Sequence, residues 1–186
     1  MQWIIEPKET ITQGTIVYGV DWGRGENNPL SIVLSNACDF EHNKLGFLIV
    51  CALVPAKETI LASKEFKAKV ESADQEGKTL KRRPWESLVN FLTDYIHNKS
   101  IGRYYFIDCA PVLEVDPFFV DFQQLRSVET SVMKDLEIVA QLDHPYVEQM
   151  MMHFTGYTAR IPSDRVDNLA EANYISFLAD GYTRKA

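Results

Sequence analysis

The chain is short of basic charge, of paired cysteines and of long apolar runs, and each shortage removes a class of function. Its 186 residues hold 19 lysines and arginines against 26 aspartates and glutamates, a formal net charge of −7. That balance works against broad, sequence-independent binding to nucleic acid, which is driven by neutralising phosphates. The dense basic cluster Lys78, Lys81, Arg82 and Arg83 reads as a solvated loop ahead of a helix. Cysteines at 38, 51 and 109 are odd in number and form no CxxC pair, so a disulfide framework is not expected and a reducing cytoplasm is. The opening MQWIIEPKET has neither a basic n-region nor an apolar h-region, so no signal peptide is expected. No apolar run approaches the ~20 residues that span a bilayer, so no membrane is expected among its partners. Internal repeats and low-complexity segments are absent as well.

What is present suits an ordinary globular protein, 46% hydrophobic and 24% charged, long enough to bury a core. GTIVYGV (14–20) alternates like a strand and is rich in β-branched and aromatic residues. DWGRGENNP (21–29) carries loop chemistry. LSIVLS (30–35) and GFLIVCALV (46–54) are nearly continuous apolar runs, as in strands covered on both faces, and ACDFEHNKL between them predicts a hairpin loop. Ile60, Leu61, Phe66 and Val70 predict an amphipathic helix that DQEGK (74–78) ends; 72–83 is the expected flexible connection. Pro84 opens the strongest helix signal, with Trp85, Leu88, Val89, Leu92, Tyr95 and Ile96 at helical spacing over 84–98. RYYFIDC (103–109) and FFVDF (118–122) predict strands separated by the turn residues VLEVDP. ETSVMKDLEIVAQL (129–142) fits helix or strand. From His144-Pro145 a second helix is expected, with Val147, Met150, Met151, Phe154 and Tyr157 on one stripe; IPSDRVD is a loop and Leu169–Leu178 a last helix.

Cys38, Asp39 and His42 carry the most reactive-looking chemistry. An imidazole lowers a thiol's pKa, and a carboxylate orients the imidazole. Residues this close in sequence seldom converge, and Asp39 and Asn43 are ordinary turn residues; catalysis, binding and plain turn structure stay open, with turn structure preferred. Zinc on Cys38, His42 and Cys51 is disfavoured, because a register centred near residue 41 pairs Cys51 with roughly residue 31. That leaves Cys51 about 20 Å from Cys38 at ~3.3 Å per residue. No metal or cofactor is expected. His97 reads as complementing a helix dipole, and His153 as a satisfied or half-exposed histidine.

The ordered pieces G14-TIVYGVDWGRGENN-P29-LSIVLSN and FLIVCALV resemble the first half of the MazF/PemK-type toxins, small SH3-like barrels that cleave RNA or, in the CcdB branch, bind gyrase. The likeness covers residues 14–55, under a quarter of the chain. In that family an arginine precedes the loop proline and a threonine ends the following strand; Asn28 and Val54 stand at those positions. Neither supplies the cation or the hydroxyl donor of the family site. Arg24, four residues upstream of Asn28, is the substitute the loop offers. The S-N-x-C-D segment at 35–39 and A140-QLDHPYVEQMMMHFTGYTAR160 resemble a loosely defined class of bacterial and phage proteins of no established activity. VYGVDWG also resembles the strand-end aspartate of ribonuclease-H-like nucleases, which would make Asp21 a metal ligand, with Asp108, Asp116 and Asp121 as its companions.

The resemblance implies an α+β fold: an SH3-like small β-barrel from 14–55 and parts of 103–142, elaborated by C-terminal amphipathic helices, with 84–98 and 144–160 packing on it in a single domain, 1–186. The expected function is a non-enzymatic binding or interaction protein of a bacterial or phage conflict system, with a protein partner and, by analogy, a homodimer. Two alternatives are an RNA-cleaving relative with a site rebuilt around Arg24, Cys38, Asp39 and His42, and a metal-dependent nuclease using Asp21. Asn28 and Asn36, which flank the strand 30–35, are the binding candidates.

Overall fold

The computed structural model describes residues 4–5, 9–42, 44–71, 82–99, 102–109, 113 and 115–159. Its strands are β1 (Ile4–Ile5), β2 (Thr15–Tyr18), β3 (Ser31–Val33), β4 (Phe47–Pro55), β5 (Tyr104–Ile107), β6 (Phe118–Glu129) and β7 (Glu137–Leu142). All pair antiparallel in the order β1-β7-β2-β3-β4-β6-β5, a single sheet that curls into a half-barrel. The helices are α1 (Ala37–Glu41), α2 (Ala56–Ala62), α3 (Lys64–Glu71), α4 (Arg82–Ile96) and α5 (Tyr146–Thr158), with 3-10 turns at Gly25–Asn27 and Thr130–Asp135. The protein is therefore of mixed helix-and-strand class.

Both faces of the sheet are covered, which is why its central strands read as unbroken apolar runs. Along β4, Cys51 and Leu53 point into one core with Ile16, Ile32, Tyr105 and Phe122, closed by Val147 and Met150 of α5. Leu48 and Val50 point the other way, to Val17, Val33 and Leu136, where Phe40 of α1 packs against them. Farther along that second face Ala56, Phe106 and Phe119 lie under Ile60 and Tyr95 of α2 and α4. Each of these wholly buried aliphatic or aromatic side chains contributes about 1.5–3 kcal/mol of transfer free energy. Gly14 seats α5: its φ is +81°, and a Cβ there would stand 2.8 Å from the Val147 Cγ2, so the close approach of helix to strand needs glycine.

The β4–β6 ladder is interrupted. Cys51 pairs with Leu125 and Leu53 with Val120, so Ala52 alone faces the four residues 121–124. This enlarged bulge bends β6 and aims Asp121 and Gln124 away from the ladder. Beyond it, Phe47, Ile49 and Leu125 are exposed on the face that α5 covers elsewhere. At the outer edge of β5 a side chain stands where a strand would. The Asn98 amide accepts from the Phe106 N–H at 2.7 Å and donates to its carbonyl at 3.1 Å, blunting an edge that otherwise invites pairing. Asn98 reaches that position from a left-handed backbone, φ 51°, which asparagine tolerates.

Several expectations need correction. The segment after β3 does join antiparallel neighbours as a hairpin connection, but it is not plain loop: Asn36 caps a one-turn helix, its Oδ1 accepting the Cys38 N–H at 3.3 Å, and Phe40 anchors that turn in the core. The helix expected over Ile60–Val70 breaks at Ser63, whose Oγ accepts the Phe66 N–H at 3.1 Å and starts α3. The ambiguous 129–142 divides into the 3-10 turn and β7. FFVDF is only the first part of β6, which runs on to Glu129. In α4 the expected stripe is half used, since Leu88 is buried while Trp85, Val89 and Ile96 stay exposed. Phe91, outside that stripe, packs on Tyr95 at 4.8 Å. The methionine run in α5 splits by helical period, Met150 being buried and Met152 exposed. The 74–78 break, the IPSDRVD loop with Arg160 and Arg165, and the Leu169–Leu178 helix lie outside the described residues.

Candidate functional site

The Cys38 group shows what a one-turn helix does with reactive residues. Cys38 is exposed, and the His42 N–H closes the turn on the Cys38 carbonyl at 3.2 Å. Among the described residues no hydrogen bond joins the side chains of Cys38, Asp39 and His42. Asn36 spends its side chain on the cap. The other two thiols are buried and held protonated: burial pushes Cys51 far above the ordinary thiol value, and burial with the nearby Asp108 pushes Cys109 up to about 12. Neither is a nucleophile at neutral pH. Cys51 pairs with Ile32, one residue from the expected register, and its Sγ donates to the Asp121 carbonyl at 2.9 Å. His153 is only half-buried, but its Nδ1 is enclosed without a hydrogen-bond partner, and burial lowers its pKa. Of the two expected readings the half-exposed one holds and the satisfied one does not. The exposed His97 follows the last residue of α4.

The 21–28 loop is tied by its own side chains. Asn28 Oδ1 accepts the Trp22 N–H at 2.9 Å and the Arg24 N–H at 3.3 Å, and Asp21 Oδ1 accepts the Gly23 N–H at 2.7 Å. Asn28, at the position of the family arginine, is thus a loop clasp, and Asp21 closes an Asx turn. Arg24 is sent toward β6, where its Nη2 donates to Gln124 Oε1 at 2.6 Å. It does not join Cys38. The loop passes Leu30, bonded to Leu53, whereas Ser35 at the start of the Cys38 segment bonds Ile49. Ile49 and Val54 lie five residues apart on β4, roughly 16 Å at ~3.3 Å per residue.

At the Val54 end lies a built site. α2, α3 and α4 stand off β5 and β6 to leave an open cleft of about 680 Å³, lined by residues including Val54, Lys64, Tyr95, Arg103, Tyr104 and Gln124. Asp121, 1% exposed, is thrust toward it by the bulge. A buried carboxylate needs partners, and Asp121 has four donors. Arg103 Nε reaches Oδ1 at 2.6 Å and Nη2 reaches Oδ2 at 2.5 Å, while the Gln123 N–H and Gln124 Nε2 add bonds of 3.1 and 2.7 Å. The Arg103 guanidinium carbon sits 4.8 Å from the centre of the Tyr104 ring, within cation–π range.

The electrostatics follow from that geometry. Burial alone would raise the Asp121 pKa, but the bonds from Arg103, Gln124 and the Gln123 N–H outweigh it and hold the carboxylate below its usual range. The same hydrogen bond raises Arg103. Burial keeps the Tyr95 and Tyr104 hydroxyls protonated, with Glu65 adding to the effect at Tyr95 and Asp121 at Tyr104. Arg103 uses one edge of its guanidinium on Asp121; Nη1 makes no hydrogen bond among the described residues, and the side chain is 40% exposed. The site presents a fixed cation beside phenolic donors.

The structure thus places the candidate residues in two separate regions, Cys38, Asp39, His42 and Asn36 at one end of the sheet and Arg24 beside the cleft at the other. Asp121 is occupied by Arg103, and among the described residues no three His, Cys, Asp or Glu side chains gather to hold a metal ion, so Asp21, Asp108, Asp116 and Asp121 form no metal-binding group. Sequence reasoning missed Arg103, Tyr104 and Gln124. The available signal was Asp121 itself, a charge inside the apolar run FFVDF that demanded a buried partner. Among the described residues no helix is long and apolar enough to cross a membrane. A curled antiparallel sheet with a polar cleft at one end is the class that fold and site define. No protein-family model matches the chain, and no curated protein matches it at a significant level.

Proposed function

We propose that the protein is a non-enzymatic binding protein that takes a protein partner in the cleft between α2–α4 and β5–β6. The observation that carries this reading is Arg103, held between the buried Asp121 and the Tyr104 ring with one guanidinium edge left to the cleft. Its side chain is ordered before any ligand arrives, so little further entropy is lost on binding. The charge set supports binding over catalysis: Asp121 is committed to Arg103, Asp94 pairs with Lys99 at 3.4 Å, and Glu65, the remaining carboxylate of the described lining, has no hydrogen-bond partner among the described residues to orient it as a general base. The finer reading of the sheet as a MazF/PemK-like, SH3-type barrel in a bacterial or phage conflict system belongs to the same proposal. It draws on the 14–55 pattern and on Val54 lining the cleft with Arg24 beside it.

The test is site-directed photocrosslinking. A benzophenone side chain at Ala62, in the cleft wall, is compared in cells with one at the exposed Lys134. A discrete protein adduct at Ala62, absent at Lys134 and lost on Arg103→Glu, is expected. Equal labelling at both sites overturns the cleft as the binding site. Cleavage of single-stranded RNA that disappears in both Arg24→Ala and His42→Ala overturns the non-enzymatic reading.

A further inference from the structure

The cleft's free donors outnumber its free acceptors, and they decide what it takes. The Arg103–Asp121 and Lys99–Asp94 pairs are internally neutral. What remains for a ligand is the outer Nη1–Nη2 edge of Arg103, the hydroxyls of Tyr95 and Tyr104, and the Lys64 ammonium, which has no partner among the described residues. Against these stands the Glu65 carboxylate. A guanidinium already bound side-on still offers its end-on edge to a second planar anion, and a rigid fork suits a carboxylate.

We propose that the outer edge of Arg103 receives a single peptide carboxylate, with the adjoining peptide lying against the Tyr95 and Tyr104 walls. This rests on the reading of the cleft as a protein-binding site and deepens it. A phosphate dianion or a run of nucleic-acid phosphates fits less well, because Glu65, Asp94 and Asp121 all line the same space and repel added negative charge. With the two pairs neutral, Lys64 and the rim's Arg24 against Glu65 leave one net positive charge, which a monoanion matches and a dianion exceeds. Arg24, joined to Asp121 through Gln124, adds attraction from the rim that salt screens.

The probes are N-benzoylglycine, which ends in a free carboxylate, its neutral amide, N-acetyl-aspartyl amide, which carries the carboxylate on a side chain, and inorganic phosphate. The readout is the 15N-resolved Nε–H signal of Arg103 together with the backbone amides of Tyr104 and Gln124. N-benzoylglycine is expected to shift all three with a Kd of about 1 mM, the scale for a ligand of this size, and the neutral amide at least tenfold more weakly. Arg103→Lys, which keeps the charge without the fork, is expected to weaken binding about tenfold, and Lys64→Ala about threefold. Comparison with N-acetyl-aspartyl amide distinguishes a terminal from a side-chain carboxylate, and tighter binding by either supports the inference. Equal shifts from acid and amide, or tighter binding of phosphate, overturn the carboxylate and leave the cleft as a binding site. No shift at these residues with any probe at 20-fold the expected ~1 mM Kd overturns the carboxylate inference and, with it, the peptide-binding reading of the cleft.

Discussion

Arg103→Ala is the sharpest perturbation of this molecule, because it removes the only cation paired, among the described residues, with a carboxylate that is 1% exposed. Breaking a buried ion pair by deleting one partner costs about 3–5 kcal/mol, most of it the penalty of the charge left behind. Here the Gln123 N–H and Gln124 Nε2 still donate to Asp121, and water enters the space of a side chain that was 40% exposed. A loss of about 2–3 kcal/mol at pH 7 is therefore expected. The pH dependence carries the mechanism. In the wild type the Asp121 pKa is lowered on folding, so its stabilisation is present above the unfolded carboxylate value and is lost as pH falls through the folded one. In the variant, burial without the cation raises that pKa, so acid relieves the penalty by neutralising the carboxyl. The variant's trend shrinks the gap between the two proteins as pH falls from 7 toward 4, and the wild type's loss adds to it only below the unfolded carboxylate value of about 3.9. Urea unfolding at several pH values measures it, and Arg103→Met with Asp121→Leu should recover most of the loss. A single variant within about 0.5 kcal/mol of wild type at pH 7, the range of ordinary surface substitutions, refutes the reasoning. So does a deficit that does not change with pH.

Other outcomes follow from neighbouring features. His153 has its pKa lowered by burial, so the unfolded chain binds its proton more readily. Its contribution is a loss of stability that sets in as pH drops below about 6.5, and His153→Gln should flatten the melting temperature between pH 7 and 5. Asn98→Ala removes both bonds to the Phe106 backbone. It should cost about 1–2 kcal/mol and speed amide exchange at Phe106, an outcome that unchanged exchange would contradict. With Cys38 exposed and Cys51 and Cys109 buried, iodoacetamide at pH 8 should modify Cys38 alone in the native protein and all three thiols in urea. Rapid native labelling of Cys51 would disprove the described packing.

The strands were legible because their chemistry is local. GTIVYGV and GFLIVCALV carry β-branched residues that suit a pleated surface, and a run with no polar interruption had to be covered on both faces. α4 and α5 were legible from their period. The segment after Ser35 was legible as a hairpin connection but its helical turn was not, because Asn36 is equally a turn residue and a helix cap; the packing of Phe40 decides between them. The candidate site was mostly hidden, since it depends on a bulge whose existence only the β4–β6 register reveals. Arg103 and Asp121 are 18 residues apart, too far for any helical or turn spacing to announce the pair. Conversely, the cluster that looked richest in chemistry, Cys38–His42, is close in sequence for the plain reason that it is one turn of helix.

The interruption in β6 also has a consequence for how the chain can change over time. In a regular ladder a one-residue insertion turns every later side chain to the opposite face. In β6 the stretch up to Asp121 is registered against β5 and the stretch up to Val120 against the end of β4, while the stretch after 124 faces the beginning of β4 alone. Phe122 is still held, its N–H on the Arg103 carbonyl and its ring in the core, so Gln123 and Gln124 work as the expansion joint. A residue gained or lost after Gln123 is absorbed there, leaving Phe119 and Val120 on one side and Leu125 and Val128 on the other with their present neighbours. The segment that shapes the cleft is in this way free to vary in length while the sheet around it stays the same.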